Sequence, residues 1–238
     1  MPIKLEIKRS INNKSFLFCL LTVVLSFILG YILLVSMDKI ENVTINQLFF
    51  SVYTVFTQFG TMIFSIVIIY SINSDYKEKN ILFYKSMGIS AQKYFLMKLL
   101  VMIFWFSIAV LIAILGVCIL YGDINKFPIM FNYFENVILY IILITSLFSF
   151  LFENMIGAFC VNFSVWIFSI VLLTVFPKLK FIAFFDAANE VYKNLDKFLI
   201  TENYAYVSYD LWKYNLLMFI IVFILVNIFS NRWIKNGI

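Results

Sequence analysis

Residues 136–177 read NVILYIILITSLFSFLFENMIGAFCVNFSVWIFSIVLLTVFP, and this stretch decides the fold class. It holds 42 residues and a single charged side chain, that of Glu153. As one helix it would be about 63 Å long, roughly twice the hydrocarbon thickness of a bilayer. The stretch must therefore fold back and cross a membrane twice. The turn is predicted at residues 153–157, where a charge and a glycine interrupt the apolar run.

The rest of the chain has the same character, because 63% of the residues are hydrophobic and only 13% are charged. In a soluble domain roughly a quarter of all residues are charged. A soluble domain of this length could not bury so much apolar surface. The predicted fold class is all-α, a polytopic membrane protein with six transmembrane helices. Residues 1–238 are expected to form one membrane domain. Its spans are predicted at about 16–37, 48–72, 97–121, 134–152, 155–177 and 213–230.

The side-chain inventory excludes several kinds of chemistry. The chain has no histidine, and its three cysteines lie far apart within apolar runs, so neither a histidine base nor a metal or disulfide framework is expected. It also lacks a phosphate-binding loop motif, so it cannot hydrolyse ATP by itself. Within the apolar runs only Glu153 is ionisable, and ion-coupled carriers and intramembrane enzymes need such groups at depth. We therefore predict no catalytic, cofactor-binding or metal-binding residue, and no enzyme.

Lysine and arginine are distributed unevenly between the two predicted sides of the membrane. With six spans, one side holds 11 basic and 4 acidic residues, and the other side holds 7 basic and 9 acidic residues. The basic side is predicted to be cytoplasmic and to carry both termini. The net charge of +5 then reflects membrane topology and not binding of nucleic acid. The abundance of Lys, Asn, Ile and Phe is typical of an AT-rich bacterium, so we expect a bacterial cytoplasmic membrane.

The N-terminal residues 1–15 carry a regular apolar pattern. Ile3, Ile7 and Ile11 recur every four residues, while the charged residues lie off that stripe. This spacing predicts a short basic amphipathic helix in the cytoplasmic interface of the membrane. The alternative is an ordinary basic anchor for the first span.

The connection between the second and third predicted spans is long and cytoplasmic. It begins with charged residues and continues with an apolar cluster at 81–84. Gly88 suits the C-terminal end of a helix, and Ser90 suits the N-cap of the helix that becomes the third span. We therefore predict a short helix here, which either lies flat on the lipid or docks into a cleft of a soluble partner.

A stripe of polar residues runs along the second predicted span. Thr54, Gln58, Thr61 and Ser65 recur at three or four residues and would share one face of a helix. The functional interpretation is a wall of the substrate path. The alternative, which we favour, is packing between helices through small polar residues.

This layout resembles the membrane subunits, or permeases, of ABC type-2 exporters. The resemblance rests on an N-terminal interfacial helix, six spans, a long cytoplasmic connection after the second span and an outer connection before the sixth. In detail, residues 75–98 (DYKEKNILFYKSMGISAQKYFLMK) look like the coupling segment of the family, and residues 146–157 (SLFSFLFENMIG) are similar to its turn between spans four and five. That family often has proline at the position of Gly88. A glycine at this position is similar to the pattern of the four-span ABC permeases. The six spans, without a large outer domain, favour the type-2 class.

The resemblance implies a partner for the chain. A second permease copy or paralogue would complete a dimer, and separate cytoplasmic ATP-binding subunits would hold ATP and magnesium. We expect Ile81, Phe83 and Tyr84 to form the docking face for that subunit. The complete set of predicted coupling residues is Asp75, Glu78, Lys79, Ile81, Leu82, Phe83, Tyr84 and Gly88.

The small size and the aromatic-rich spans suggest a substrate class. They are similar to small permeases of low-GC Gram-positive bacteria that export or expel bacteriocins and other membrane-active peptides. We therefore expect outward transport of peptides or other amphipathic compounds. The alternative function is a non-transporting immunity or sensor protein of the membrane that acts without an ATPase.

Overall fold

A computed structural model describes residues 2–176 and 178–236, and all regular secondary structure within these residues is helical. Five helices are long and apolar enough to cross a membrane, and a bent pair of helices brings the number to six. The predicted all-α, polytopic fold class is confirmed. The first residue of the predicted interfacial helix, the end of the predicted fifth span at Pro177, and the last two residues of the chain lie outside the described residues.

Most of the helices follow one another with short connections. Single 3₁₀ turns precede α7 and α10, at Ile124–Lys126 and Tyr204–Tyr206. The helices are α1 (Pro2–Asn12), α2 (Ser15–Ser36), α3 (Ile45–Gln58), α4 (Gly60–Lys77), α5 (Asn80–Ser86), α6 (Ala91–Tyr121), α7 (Phe127–Leu151), α8 (Met155–Val175), α9 (Glu190–Thr201), α10 (Leu211–Ile228) and α11 (Ser230–Asn236).

The second span differs from the single helix that the sequence suggests over 48–72. Helices α3 and α4 meet at an angle of 57°, with Phe59 between them. Gly60 begins α4, and a Cβ atom placed there would lie 2.9 Å from Cδ1 of Ile141. The missing side chain therefore lets α4 start in close contact with α7. A glycine at this point is a common cause of a sharp kink.

Helix α7 forms the centre of the bundle. It packs against α4, α6, α8 and α10, and most of its length is buried. Aromatic rings fill the space around it: the ring of Phe134 lies 4.6 Å from that of Phe56 and 5.4 Å from that of Phe27, measured between centroids. Both pairs are tilted against each other, an arrangement that packs aromatic rings favourably.

The close approach of α2 and α3 depends on Gly30. A Cβ atom at Gly30 would lie 2.6 Å from Cγ2 and 2.9 Å from the Cα of Val52, and the carbonyl of Gly30 accepts a hydrogen bond from Ser51 at 2.8 Å. A side chain here has to push a helix backbone away. By contrast, a Cβ atom at Gly116 of α6 would meet nothing within 4 Å.

Gly30→Ala is therefore expected to lower the free energy of unfolding by about 1–3 kcal/mol, as overpacking does in a tight core. The matched variant Gly116→Ala should leave stability unchanged or raise it slightly, because alanine is the better helix former. Thermal unfolding of both purified proteins in mild detergent measures the difference. Equal melting temperatures for the two variants would contradict the close α2–α3 packing.

The two ends of the bundle carry different elements. Helices α1, α5 and α11 and the turn between α7 and α8 lie at one end, where the ring of Trp233 packs 5.2 Å from that of Tyr94. We call it the basic end, since the connections predicted to be cytoplasmic all meet there. Helix α9 and the 3₁₀ turns lie at the opposite end, where Lys126 forms an ion pair with Glu202.

Candidate functional site

A network of five charged side chains lies at the basic end, and three of them are buried. The exposed fractions of Glu6, Asp75 and Lys98 are 4%, 0% and 3%. The Nζ atom of Lys98 lies 2.5 Å from Oε1 of Glu6 and 2.8 Å from Oδ2 of Asp75. Arg9 also forms an ion pair with Asp75 and reaches Oε2 of Glu78 at 3.0 Å. We call these five residues the ion-pair network.

Two tyrosine hydroxyls complete the hydrogen bonding of the buried carboxylates. Tyr84 donates to Oε2 of Glu6 at 2.6 Å, and Tyr94 donates to Oδ2 of Asp75 at 3.0 Å. Burial, together with the negative charges of Glu6 and Asp75, raises the pKa of Tyr84 above its ordinary value, so its hydroxyl remains a neutral donor. Each carboxylate oxygen of Glu6 and Asp75 thus has a partner, which a buried ion pair needs to offset its desolvation.

The network ties four helices together because its members sit at helical spacings. Glu6 and Arg9 are three residues apart on α1, and Tyr94 and Lys98 are four residues apart on α6, so each pair shares a face. Asp75 belongs to the last turn of α4, and α5 contributes its tyrosine. The N-terminal helix is therefore fixed across the ends of two spans and not merely attached to the first one.

The packing face of α1 differs from the stripe that the sequence shows. Ile3 and Ile11 are exposed and Ile7 is half-buried, whereas Glu6 and Ser10 are buried. The polar side of the helix turns towards the bundle because its partners there are charged. The exposed isoleucines remain free to contact lipid. No local pattern reveals this, since the partners lie 66 to 92 positions away along the chain.

The predicted docking face on α5 requires a correction. Ile81 and Tyr84 are 1% and 7% exposed and face the bundle, whereas Leu82 and Phe83 are 41% and 58% exposed. Ile81 and Tyr84 are three residues apart, so they share the inner face of this short helix. Met87, four positions after Phe83 and outside the predicted docking face, is also exposed. We call Leu82, Phe83 and Met87 the α5 patch.

The polar residues of the predicted coupling set also differ in exposure. Asp75 is fully buried in the ion-pair network and does not reach the surface. The side chain of Glu78 is 58% exposed and Lys79 is exposed, so these two remain at the surface. Gly88 adopts a left-handed backbone with φ of 71° after the end of α5, and Ser90 caps α6 by accepting from the N–H of Lys93. Both caps agree with the sequence-based prediction.

The bend at Phe59 divides the polar stripe of the second span. On α3, the hydroxyl of Thr54 lies 2.5 Å from that of Tyr192, and Gln58 donates to Asp186 at 3.3 Å. Both side chains therefore hold the outer segment between α8 and α10 against the bundle. These contacts agree with a packing role for both residues.

The other two members of the stripe lie on α4. Ser65 is fully buried and donates to the carbonyl of Met62 at 3.2 Å, within its own helix. Thr61 lines an intramembrane cavity together with residues of α7, α8 and α10. The four residues thus do not form one continuous wall, because the helix that carries them is broken.

A further buried acid, outside the ion-pair network, was not expected from the sequence. Glu135 of α7 is 4% exposed and accepts a hydrogen bond from Ser107 at 2.5 Å, while its Oε2 atom has no partner among the described residues. Glu153, by contrast, is exposed in the turn between α7 and α8. Glu135 stands at the very start of the predicted fourth span, where charges are usually counted with the connection. No three acidic or cysteine side chains of residues 2–176 and 178–236 form a group that could hold a metal ion.

Comparisons with known proteins cover nearly the whole chain. The family described as "Peptide export permease protein YydJ family" matches residues 3–238. The "Probable peptide export permease protein YydJ" of Bacillus subtilis (strain 168) is 36% identical over 241 residues, which cover 99% of this chain and 100% of the relative. No solved structure matches the chain. The match therefore includes the ion-pair network, the α5 patch and the spans alike.

Proposed function

The chain belongs to the YydJ family of peptide export permeases, and from this premise we propose that it is the membrane subunit of an ATP-driven ABC type-2 exporter. It moves peptides outwards across the bacterial cytoplasmic membrane. A separate cytoplasmic subunit binds ATP and magnesium, since this chain carries no phosphate-binding motif. A second permease copy, identical or paralogous, completes the transporter.

The observation that carries the proposal is the two-sided character of α5. Its outer side presents the α5 patch, while its inner side is held by Ile81 and by the hydrogen bond from Tyr84 to Glu6. An exposed apolar patch outside the spans is typical of an interaction site. Because the helix is held firmly, a partner that binds the patch could transmit a force through α5 to the bundle.

The structure also supports a route for that force. Asn80 at the start of α5 donates to Glu78 at 2.8 Å and to Asp75 at 3.3 Å, so α5 is joined directly to the last turn of α4. Helix α4 runs from there to the bend at Phe59 and contributes Thr61 to the cavity. A push on the α5 patch would therefore act on one continuous helix that ends beside the cavity.

Copurification tests the proposal. The tagged chain is isolated from its own host in mild detergent, and the proteins that remain bound are identified by mass spectrometry. A stoichiometric ATP-binding subunit, whose ATPase activity depends on the permease, is the expected result. If the chain purifies alone and still confers peptide tolerance on cells that lack any such ATPase, the immunity or sensor function replaces the exporter.

The proposal places the basic end in the cytoplasm, which cysteine labelling can check. In a Cys160→Ala background, Ile200→Cys should react with an impermeant maleimide in intact cells, because Ile200 is 74% exposed on α9 at the opposite end. Lys4→Cys on α1 should react only after the cells are permeabilised. The reverse pattern would invert the topology, and labelling of both in intact cells would contradict a common side for α1 and the cytoplasmic connections.

A further inference from the structure

A cavity of about 260 Å³ lies inside the bundle, within the spans. Its wall is formed by α4, α7, α8 and α10, and the segment after α8 contributes Phe181 and Ile182. The wall is largely apolar. The hydroxyl of Tyr214 donates to the carbonyl of Phe181 at 3.0 Å, which fixes that segment over the outer end of the cavity. The cavity is therefore covered towards the outer side.

Two of the helices that line the cavity pack only loosely against each other. Helices α8 and α10 both pack against α7 and, among the described residues, make little contact with each other. Val165 and Trp166 of α8 face the cavity from one side, and Met218 and Ile221 of α10 face it from the other. A gap between these two helices would admit a molecule dissolved in the bilayer without opening the bundle.

One polar pair stands out in this apolar wall. Asn162 and Thr145 are 1% and 0% exposed, and Nδ2 of Asn162 donates to Oγ1 of Thr145 at 3.2 Å. The Oδ1 atom of Asn162 has no hydrogen-bond partner among the described residues. Turning the amide over would leave an N–H group unpaired instead. An unsatisfied polar group at membrane depth is costly, so the site favours a ligand that supplies a hydrogen bond.

We propose that this cavity binds an apolar side chain of the exported peptide, and that Asn162 forms a hydrogen bond with the peptide main chain beside it. The inference deepens the proposed export function and rests on it. A lipid acyl chain offers no hydrogen-bonding group to Asn162. A helix of a second copy has its backbone groups already paired, and its diameter of about 10 Å is too large for the cavity.

The size of the cavity agrees with one side chain and not with a folded peptide. An apolar cavity of about 150 Å³ accommodates benzene, whereas sites for whole drug-sized ligands measure about 300–1,000 Å³. A phenylalanine, tryptophan or leucine side chain with its adjacent peptide group thus fits here. Because Thr61 of α4 lines the same space, a movement of α4 changes its shape.

Photocross-linking tests the proposal on the purified permease in lipid nanodiscs, without nucleotide or partner. The probe is a tripeptide amide, acetyl-leucyl-p-benzoylphenylalanyl-leucine amide, and acetyl-Leu-Phe-Leu amide is the competitor. Mass spectrometry should place the cross-link on the cavity-facing residues of α8 and α10, and the competitor should abolish it. Cross-links spread over the lipid-facing surface, or insensitive to the competitor, would overturn the proposal.

Two variants of neighbouring residues supply the matched control. Met218→Trp fills the cavity and should reduce cross-linking about tenfold, equivalent to about 1.4 kcal/mol of binding energy. Leu217→Trp adds the same bulk at a residue that is 45% exposed, and it should change the yield less than about twofold, as surface substitutions usually do. Asn162→Leu should reduce it about fivefold, the effect of one hydrogen bond. Equal yields for the two tryptophan variants would overturn the assignment.

The remaining outcomes separate the possible occupants and the two proposals. If a phosphatidylglycerol with a diazirine in its acyl chain labels the same residues and the peptide does not displace it, the occupant is lipid and the inference fails. A permease that copurifies with an ATP-binding subunit but never labels at the cavity overturns only this inference. A permease that labels there but has no ATPase partner overturns only the proposed ATP coupling.

Discussion

Lys98→Met is expected to lower the free energy of unfolding by about 3–5 kcal/mol, because it removes one partner of a buried ion pair and leaves the other uncompensated. Lys98 is 3% exposed and contacts the carboxylates of both Glu6 and Asp75. Arg9 would still neutralise Asp75, but no other cation of the ion-pair network contacts Glu6. The loss should appear as a lower melting temperature of the purified protein in mild detergent.

Two further variants decide whether the ion pair itself is responsible. Lys93→Met makes the same change five positions earlier on α6, at an exposed residue, and should alter stability by less than about 0.5 kcal/mol. Adding Glu6→Gln to Lys98→Met removes the unpaired charge and should restore part of the loss. If Lys93→Met and Lys98→Met are equally stable, or if Glu6→Gln has no effect in the Lys98→Met background, the buried pairing is contradicted.

The sequence predicts the spans well because each one has its own local signal. A run of about 20 apolar residues must be a membrane helix regardless of its neighbours. The fold-back within 136–177 follows from its length alone, and the chain indeed reverses between Leu151 and Met155. The bend at Phe59 has no such signal. It depends on how closely Gly60 approaches Ile141, which is a property of the packed bundle.

The ion-pair network could not be predicted for a related reason. Lys98 and Arg9 count as cytoplasmic charges in any analysis of topology, and nothing in the local pattern distinguishes them from exposed lysines such as Lys93. Their burial results from contacts between segments that are distant in the chain. Glu6 and Asp75 supply the opposite charge only once α1 has folded against α4 and α6.

Helix α5 illustrates the limit of helical periodicity. The spacing shows that Ile81 and Tyr84 share one face and that Phe83 and Met87 share another. It does not show which face is inside, because all four side chains are apolar or aromatic. The hydrogen bond from Tyr84 to Glu6 decides the orientation, and it leaves Phe83 at the surface.

Phe83→Asp is accordingly expected to lower the affinity for the ATP-binding subunit at least about tenfold, because burying a phenylalanine contributes about 1.5–3 kcal/mol and a buried unpaired charge adds a penalty. The stability of the Phe83→Asp protein should not change, since the side chain of Phe83 is 58% exposed in the isolated chain. Copurification of the subunit and peptide export are both measured. The matched variant Ile200→Asp, at a residue 74% exposed on the opposite end, should retain the subunit and export.

The Lys98 and Phe83 variants together distinguish two roles: the ion-pair network stabilises the bundle, and the α5 patch binds the partner subunit. Lys98→Met should reduce stability, because it acts inside the bundle, whereas Phe83→Asp should reduce partner binding at unchanged melting temperature. If Phe83→Asp retains the ATP-binding subunit, the α5 patch is not the docking surface, even if α5 is firmly held. If Ile200→Asp loses the subunit as well, the loss reflects a general effect of surface charge. A partner that pushes on α5 and thereby moves α4 requires that Phe83→Asp loses the ATP-binding subunit and that Ile200→Asp retains it.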